Sequence, residues 1–255
     1  MVLTQVDSAY IKKIEALSAN ALPALQTTLY DGWILRFSNG YTKRANSIHP
    51  LYLSTEDVQH KIDHCEHIYR QKKLNTVYKM TSAVSPPELD VLLENQGYEK
   101  SGQTSLQILP LQQLKLASDR LQINVFETFN EAWFNAFCLL NHVELSAQAT
   151  LKKMLENLVP ETCFLLSYHK DEVTACGLGV LEEDYLGLFD IVTHEAHRRK
   201  GYAQSLILQL LNWGKAKGAH TAYLQVVLEN LPAIRLYSQL GFTEAYQYWY
   251  RIKKT

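Results

Sequence analysis

One stretch of the chain constrains its fold more than any other. The apolar run Tyr185–Thr193 is typical of a strand, and it leads through the basic triplet Arg198–Lys200 to Gly201. The apolar residues beyond this glycine share one face of a predicted helix: Leu206, Ile207, Leu210 and Leu211. A strand that passes through a short turn into a helix predicts a mixed α/β fold.

Composition limits the kind of protein this can be. The chain has 255 residues, of which 47% are hydrophobic and 20% are charged, so it has room for one large domain or two modest ones. Its net charge of −1 provides no overall field that would gather polyanions. We therefore expect no nucleic-acid partner and no membrane partner, and any anion site has to be local.

Residues 1–22 bear on localisation. They include Lys12, Lys13 and Glu15 within a helix-like pattern, and they lack the apolar core of a signal peptide. No run approaches the roughly 18 apolar residues that a bilayer-spanning helix needs. The sequence therefore predicts a cytoplasmic protein.

The four cysteines are scattered along the chain: Cys65, Cys138, Cys163 and Cys176. They form no C-x-x-C pair. Isolated cysteines in a cytoplasmic protein are expected to be reduced thiols, buried as small apolar residues. Neither a disulfide framework nor a zinc site is predicted.

Turn residues and apolar periodicity divide the first part of the chain into short elements. The predicted order is a helix Thr4–Ser18, a hairpin of strands Gly32–Phe37 and Tyr41–Ser47 around Asn39-Gly40, a helix within Thr55–Leu74, a strand Thr76–Met80, a helix Glu88–Gln96 and a strand Thr104–Leu109. The polar stretch Gln112–Arg120 is expected to be a connector. This gives a smaller α/β domain at residues 1–115 and a second domain at residues 120–255.

The second part begins with helices and continues as an antiparallel meander. The predicted helices are Glu131–Leu140 and Gln148–Leu158, and the meander strands are Cys163–His169, Val173–Val180 and Tyr185–Thr193. The helix that starts near Gly201 is followed by a strand Thr221–Val227, a helix from Pro232 to Gly241 and a strand Tyr246–Ile252.

The basic turn before the central helix is suited to an anion. The first N–H groups of a helix have no intrahelical acceptor, and the helix dipole adds partial positive charge there. Gly201 and Ala203 allow close approach to the backbone, and Arg198, Arg199 and Lys200 add charge. Because three cations oppose the dipole unless an anion is bound, a phosphate site is favoured over a solvated basic loop.

Two common phosphate-binding motifs are missing from the sequence. The pattern G-x-x-x-x-G-K-[ST] does not occur. Gly177 and Gly179 begin a dinucleotide-type pattern, but Glu182 stands where its third glycine belongs. A P-loop and a Rossmann turn are therefore excluded.

Two motifs carry a resemblance to a known family. The segment RRKGYA, Arg198–Ala203, resembles the [RQ]-x-x-G-x-[GA] acetyl-CoA loop of the GNAT N-acetyltransferases, and LFDIVTHEAHRRKGYA fits the family's central strand running into that loop. Downstream, ENLPAIRLYSQLGF, Glu229–Phe242, is similar to the second signature, an Asn, then a helix with a Tyr, then Gly and an aromatic residue. The resemblance covers about Cys163 to Ile252.

The resemblance implies a fold, a donor and a set of binding residues. The fold is the GNAT acyl-CoA N-acyltransferase fold, a central mixed and mostly antiparallel sheet flanked by helices. The donor is acetyl-CoA, no metal is required, and the acceptor is an amine-bearing small molecule or peptide. The residues that would bind acetyl-CoA through their backbones are Ile191, Val192 and Thr193 along the pantetheine arm and Arg198, Arg199, Lys200, Gly201, Tyr202, Ala203 and Gln204 around the pyrophosphate. Asn230 would hold the arm near its reacting end, unless it simply begins a turn.

The resemblance also implies a reaction, the transfer of an acetyl group to a primary amine by direct attack in a ternary complex. Tyr237 would protonate the departing thiolate, although helical spacing also allows it an ordinary core position. The N–H of Thr193 or of a neighbour would donate to the thioester oxygen. Asp190 is a candidate base, since burial in its apolar strand would raise its pKa. The alternatives are that Glu195 or a water chain accepts the proton, or that Asp190 has a purely structural role.

A second class of protein remains as the rival interpretation. A non-catalytic module that binds or senses acyl-CoA would share the loop, and a longer acyl donor is a variant of the enzyme. Tyr237 favours catalysis, because a pure binder has no need of a phenol near the sulfur. The identity of the acceptor follows no pattern in a single sequence.

The ends of the two halves share a pattern. LLENQGYEKSGQTSLQI from Leu92 and LYSQLGFTEAYQYWYRI from Leu236 both run from a helix through Gly and an aromatic residue into a strand. The first half is therefore expected to be a degenerate GNAT-like domain. Leu93 stands where the second half has Tyr237, so we expect the first half to bind no acetyl-CoA. It would instead form one wall of the substrate groove or contribute the interface of a homodimer.

Three histidines fall at helical spacing in the first half. His60, His64 and His67 lie at i, i+4 and i+7, a spacing that can place imidazoles on one face for a metal. They lie opposite the apolar stripe of the same helix, which consists of Val58, Ile62, Cys65 and Tyr69. A solvated face is therefore preferred, and no metal is predicted.

Overall fold

The structure is a computed structural model that describes residues 6–112, 122–170 and 172–254. Its elements in chain order are α1 Ser8–Asn20, β1 Gln26–Tyr30, β2 Trp33–Phe37, β3 Ile48–His49, α2 Val58–Gln71, β4 Thr76–Met80, α3 Leu89–Asn95, β5 Glu99–Pro110, β6 Gln122–Phe126, α4 Glu131–Leu140, α5 Leu145–Glu156, β7 Glu161–His169, β8 Glu172–Glu182, β9 Tyr185–Thr193, α6 Tyr202–Ala216, β10 Thr221–Val227, α7 Leu231–Gln239 and β11 Thr243–Lys253. Among these described helices, none combines the length and apolar character needed to cross a membrane.

The described residues form two compact units. Unit 1 takes the described residues of Met1–Leu106, Val227–Asn230 and Glu244–Thr255, and unit 2 takes those of Gln107–Val226 and Leu231–Thr243. Neither unit is one continuous stretch, whereas the sequence analysis divided the chain once, between 115 and 120. That expected boundary lies outside the described residues, as does Thr4 at the start of the first predicted helix.

Unit 1 is a mixed sheet with the strand order β1-β2-β3-β4-β11-β5. Its pairs β1–β2, β2–β3 and β4–β11 are antiparallel, and β3 and β4 are parallel because α2 forms the crossover between them. The apolar stripe of α2 packs with β2, β4 and α3 in one core cluster. On α1, the buried Glu15 carboxylate forms an ion pair with Lys79 at 2.6 Å and accepts from the Tyr246 hydroxyl at 2.8 Å, which fixes this helix to β4 and β11.

Unit 2 has the strand order β10-β9-β8-β7-β6. β6 to β9 form the antiparallel meander that the sequence predicted for its last three strands, and β9 and β10 are parallel, with α6 as the crossover. Leu206, Ile207, Leu210 and Leu211 of α6 lie in the main core cluster of this unit. The predicted class, a mixed and mostly antiparallel sheet flanked by helices, is confirmed.

The last strand of each half belongs, at least in part, to a different unit from the segment that precedes it in the chain. β11 lies in unit 1, where Tyr250 pairs with Lys79 of β4, although the sequence analysis gave this strand to the second domain. Conversely, Gln107–Pro110 of β5 lies in unit 2, where Leu109 joins the core cluster. Both strands follow the same pattern of helix, Gly and aromatic residue. A local pattern predicts a strand but does not say which sheet it joins.

The predicted hairpin around Asn39-Gly40 is wrong. The hairpin is formed by β1 and β2 and turns at Asp31-Gly32, where φ is +38° and +82°. Only Lys43–Ala45 of the predicted strand Tyr41–Ser47 is regular, as a 3₁₀ turn. The Asn46 side chain accepts the N–H groups of Ser38 and Gly40 at 2.7 and 2.9 Å and so closes a loop in place of a strand.

Arg251 anchors β11 to α3 within unit 1. Its side chain is 4% exposed and donates to the two carboxylate oxygens of Asp90 at 2.8 and 3.0 Å and to Glu94 at 3.1 Å. The Trp249 indole donates to Asp90 at 2.8 Å. These bonds, Arg251 foremost, hold the pKa of Asp90 below its ordinary value.

Asp90→Asn should therefore destabilise the protein in a pH-dependent manner. Because the pKa of Asp90 is lowered in the folded state, its contribution is present above the unfolded pKa of about 3.9 and is lost as the pH falls. We expect a loss of about 2 kcal/mol at pH 7, measured by urea unfolding, that shrinks below about pH 4. Glu94→Gln, at an exposed carboxylate, is the matched control and should cost less than about 1 kcal/mol. An Asp90→Asn curve parallel to that of the parent at every pH would contradict this.

Candidate functional site

A bulge interrupts the central strand β9. The register of its ladder with β8 changes between Cys176 and Leu178, so that Asp190 and Ile191 together face Gly177. Asp190 has a left-handed φ of +52°, a conformation that Asp tolerates better than most residues. The sequence analysis predicted the bounds of β9 but not this bulge, and it noted Gly177 only as part of a failed dinucleotide pattern.

The pairing of β9 with β10 ends just before the bulge. Their parallel ladder runs from the pair Thr221 and Tyr185 to the pair Leu224 and Leu188. Within the described residues it includes no later residue of β9, although both strands continue. The last residues of β9 therefore have a backbone edge that β10 does not cover.

The amides along this edge alternate in direction. The His194 N–H donates to the Thr174 carbonyl of β8 at 2.8 Å, and the Val192 amide lies against the Cys176 thiol, also on β8. Successive amides of a strand point to opposite edges. The N–H groups of Ile191 and Thr193 therefore point towards the open side, where an extended ligand can pair with them.

The start of α6 has the features of an anion site. Gly201 is the N-cap residue, with a left-handed φ of +89° and no side-chain capping bond, and Arg199 is left-handed too, at +61°. A Cβ built at Gly201 would meet no atom within 4 Å, so the space beside this backbone is open. In unit 1, the corresponding crossover helix α2 is capped by Asp57, which accepts the His60 N–H at 3.0 Å. The first amides of α6 are free of such a cap and can bind an anion.

The predicted cations surround this helix start and are exposed. Arg198 makes a loose pair with Glu195 at 3.5 Å, and the Lys200 ammonium donates to the Ala196 carbonyl at 2.9 Å. Tyr202 is buried in the core and holds the first turn in place. Ala203 is half-buried, and Gln204 is exposed. The charge of the loop is therefore available to a ligand, and its backbone is fixed from the core side.

Tyr237 lies at the edge of the same core. Tyr237 and Ile191 both pack against the core cluster that contains Tyr202. The Tyr237 ring also meets the Phe242 ring edge-on, with centroids 5.9 Å apart. Burial raises the pKa of Tyr237 to about 12. Its hydroxyl is therefore protonated at neutral pH and can donate a proton.

The remaining predicted site residues are Asp190, Glu195 and Asn230. Asp190 is half-buried rather than enclosed in the apolar core, and its charge contributes, after burial, to raising the pKa of the Cys176 thiol. Glu195 is exposed. Asn230 is exposed, directly precedes α7 and belongs to the short segment of unit 1, Val227–Asn230, whereas the other predicted site residues belong to unit 2.

A cluster of possible metal ligands lies beside the loop and was not predicted. Glu172, His194 and His197 each place one ligand atom within 4.8 Å of the others. Within this cluster, His197 Nε2 lies 3.3 Å from Glu172, and His194 Nδ1 accepts the Ala196 N–H at 3.2 Å. The spacing H-x-x-H before the basic triplet was the signal in the sequence.

The histidines that the sequence did single out lie on the exposed face of α2. His60 contacts Glu56 at 3.1 Å, His67 contacts Gln71 at 2.8 Å, and His64 packs on the Tyr30 ring at 4.4 Å. Each imidazole therefore has its own neighbour, and the three do not converge.

Comparison with known proteins extends over nearly the whole chain. The profile of a family described as "Probable histone acetyltransferase Rv0428c C-terminal" matches residues 8–251. YobR, a Bacillus subtilis (strain 168) protein described as an uncharacterized N-acetyltransferase, is 32% identical over 251 residues, which are 96% of this chain and 99% of that protein.

Solved structures show the same fold at low sequence identity. A GCN5-related N-acetyltransferase from Kribbella flavida has a TM-score of 0.72 and 12% identity, covering 99% of this chain and 97% of that one. A tandem GNAT protein from the clavulanic acid biosynthesis pathway has a TM-score of 0.66 and 12% identity, covering 94% of this chain and 87% of that one. The chain therefore belongs to the family of the Rv0428c C-terminal acetyltransferases and is an N-acetyltransferase of the GNAT type.

Proposed function

We propose that the protein transfers an acetyl group from acetyl-CoA to a primary amine by direct attack in a ternary complex. The observation that carries the proposal is the uncapped, basic start of α6 directly after the open edge of β9. An anion site and a free strand edge, joined by a loop of eight residues from His194 to Gly201, fit a ligand with a diphosphate at one end and an extended amide arm at the other.

The start of α6 would hold the diphosphate. The amides from Arg199 to Gln204 would donate to its oxygens, since the helix provides no side-chain cap, while the Arg198 N–H already donates to the Glu195 carbonyl at 3.3 Å. The guanidinium groups of Arg198 and Arg199 and the Lys200 ammonium would balance its charge. Gly201 supplies the left-handed turn without a side chain that would occupy the open space.

The open edge of β9 would orient the reacting end. Ile191, Val192 and Thr193 would pair with the pantetheine arm through their backbones. When bound, acetyl-CoA supplies an acetyl carbon that an amine can attack. The N–H of Thr193 points to the open side and is suited to donate to the thioester oxygen, where negative charge develops.

Proton transfers complete the reaction. One N–C bond forms and one C–S bond breaks, so the nitrogen has to lose a proton and the sulfur has to gain one. Tyr237 would protonate the sulfur, which its raised pKa allows because the phenol keeps its proton until it is needed. The half-buried Asp190, or Glu195 through a water chain, would accept the proton of the amine.

Charge reversal at Arg198 tests the diphosphate site. Arg198→Glu should weaken CoA binding at least about tenfold in calorimetry, an effect that shrinks as salt rises. Lys153→Glu, an exposed lysine on α5, makes the same change in net charge and should leave binding unchanged. Equal weakening by both variants would show that only overall charge matters and would contradict the site.

The number of CoA molecules bound tests the difference between the units. Because α2 is capped by the acidic Asp57 and the start of α6 is open, we expect one CoA per chain. Calorimetry of the full chain measures this ratio. A value of two would show that unit 1 binds the cofactor as well.

Tyr237→Phe tests proton delivery to the sulfur. Thiol release from acetyl-CoA in the presence of a panel of primary amines should fall about a hundredfold, while the Kd for CoA stays the same. Since the pKa of Tyr237 is about 12, the parent rate should not decline between about pH 8 and 10 through loss of this proton. Tyr52→Phe, at an exposed tyrosine of unit 1, is the control. If the parent binds CoA but acetylates no amine, the alternative of a binding or sensing module is correct.

A further inference from the structure

Trp133 packs in the aromatic core of unit 2. It lies on α4, is fully buried, stacks on Phe137 with ring centroids 5.2 Å apart and meets Phe164 of β7 edge-on at 4.9 Å. These contacts require only an aromatic ring. A phenylalanine would keep an aromatic ring here but fill less volume, and it would lack the one polar group that the indole adds.

The indole N–H of Trp133 distinguishes it from phenylalanine. A buried N–H has to find an acceptor, and Nε1 donates to the Gly177 carbonyl of β8 at 3.0 Å. Gly177 is the residue that the ladder between β8 and β9 skips, directly opposite the bulge at Asp190. The hydrogen bond therefore ties α4 to the point at which the two strands lose their register.

Gly177 is also in direct contact with the strand that it faces. A Cβ built on it would lie 2.8 Å from Ile191 Cδ1, so the Ile191 side chain packs on the bare glycine backbone. A shift of Gly177 would move Ile191, the first residue of the open edge. Trp133 therefore acts on the position of β9 through one residue, Gly177.

The contact between Cys176 and Asp190 at the bulge is weak by comparison. The Cys176 thiol lies 3.9 Å from the Asp190 carbonyl, and a thiol is a poor donor. The indole N–H is a full-strength donor at normal distance. If it is lost, the buried Gly177 carbonyl loses a full-strength donor, which is costly enough to shift this residue.

We propose that Trp133 is a positioning residue for acetyl transfer. Its bond to Gly177 maintains the register of β8 and β9 in which the N–H groups of Ile191 and Thr193 face the open edge. Without this bond Gly177 shifts, Ile191, whose side chain packs on it, moves with it, and these amides leave the positions in which they face the thioester. The inference rests on the proposed function, because it takes acetyl-CoA to lie along β9.

The test measures hydrogen exchange of the Ile191 and Thr193 amides by NMR in the full chain, with acetyl-CoA as the probe. In the parent protein, saturating acetyl-CoA should slow exchange of both amides about tenfold or more. Trp133→Phe should lose this protection and bind acetyl-CoA about tenfold more weakly. Replacement of Trp133 by 3-benzothienylalanine, which keeps the ring shape and lacks the N–H, should have the same effect, and it tests the N–H even if Trp133→Phe folds poorly.

Phe137→Leu is the matched control. It disturbs the same aromatic stack without touching the hydrogen bond, so it should lower Tm while the acetyl-CoA-dependent protection stays intact. Full protection in the benzothienylalanine variant, or equal loss of protection in Phe137→Leu, would overturn the role of the N–H. Failure of the parent protein to bind acetyl-CoA would instead overturn the proposed function, so the two failures are distinguishable.

Discussion

The bulge in β9 is the constraint on which the candidate site depends. A regular strand would continue its ladder with β10, and its amides would be used within the sheet. The pairing stops at Leu188, and one extra residue opposite Gly177, accommodated by the left-handed Asp190, follows directly where the backbone edge is open. The loop at Arg198–Gly201 then follows within a few residues, so the open edge and the basic helix start are set by the same short piece of chain.

Both units contain the same kind of crossover connection, but the crossover helix starts differently in each. Each has a parallel strand pair joined by a crossover helix, α2 in unit 1 and α6 in unit 2. The start of α2 is capped by its own aspartate, Asp57, which accepts the His60 N–H. The start of α6 has a glycine instead, which provides no side-chain cap, and we propose that its amides bind the anion. One residue at the N-cap position thus separates a structural helix from one that is able to bind a ligand.

Local patterns in the sequence predicted most of what is local in the structure. The bounds of β4, β9, β10 and α4 agree with the prediction, because periodicity and turn residues act over a few positions. The bulge at Asp190, the placing of β11 in unit 1 and the bond from Trp133 to Gly177 were not predicted. Each depends on which distant segments meet, and a contact across 44 positions leaves no periodic signal. The strand β6 was missed for a related reason, since its mostly exposed side chains give it little apolar pattern.

A crystal structure of the protein with acetyl-CoA tests the central claim most directly, namely that the cofactor lies along β9 with its diphosphate at the start of α6. The predicted result places diphosphate oxygens within hydrogen-bonding distance of the amides of Tyr202, Ala203 and Gln204, and the pantetheine arm beside Ile191–Thr193. Acetyl-CoA bound at the start of α2, or at α6 with its arm directed away from β9, would contradict it.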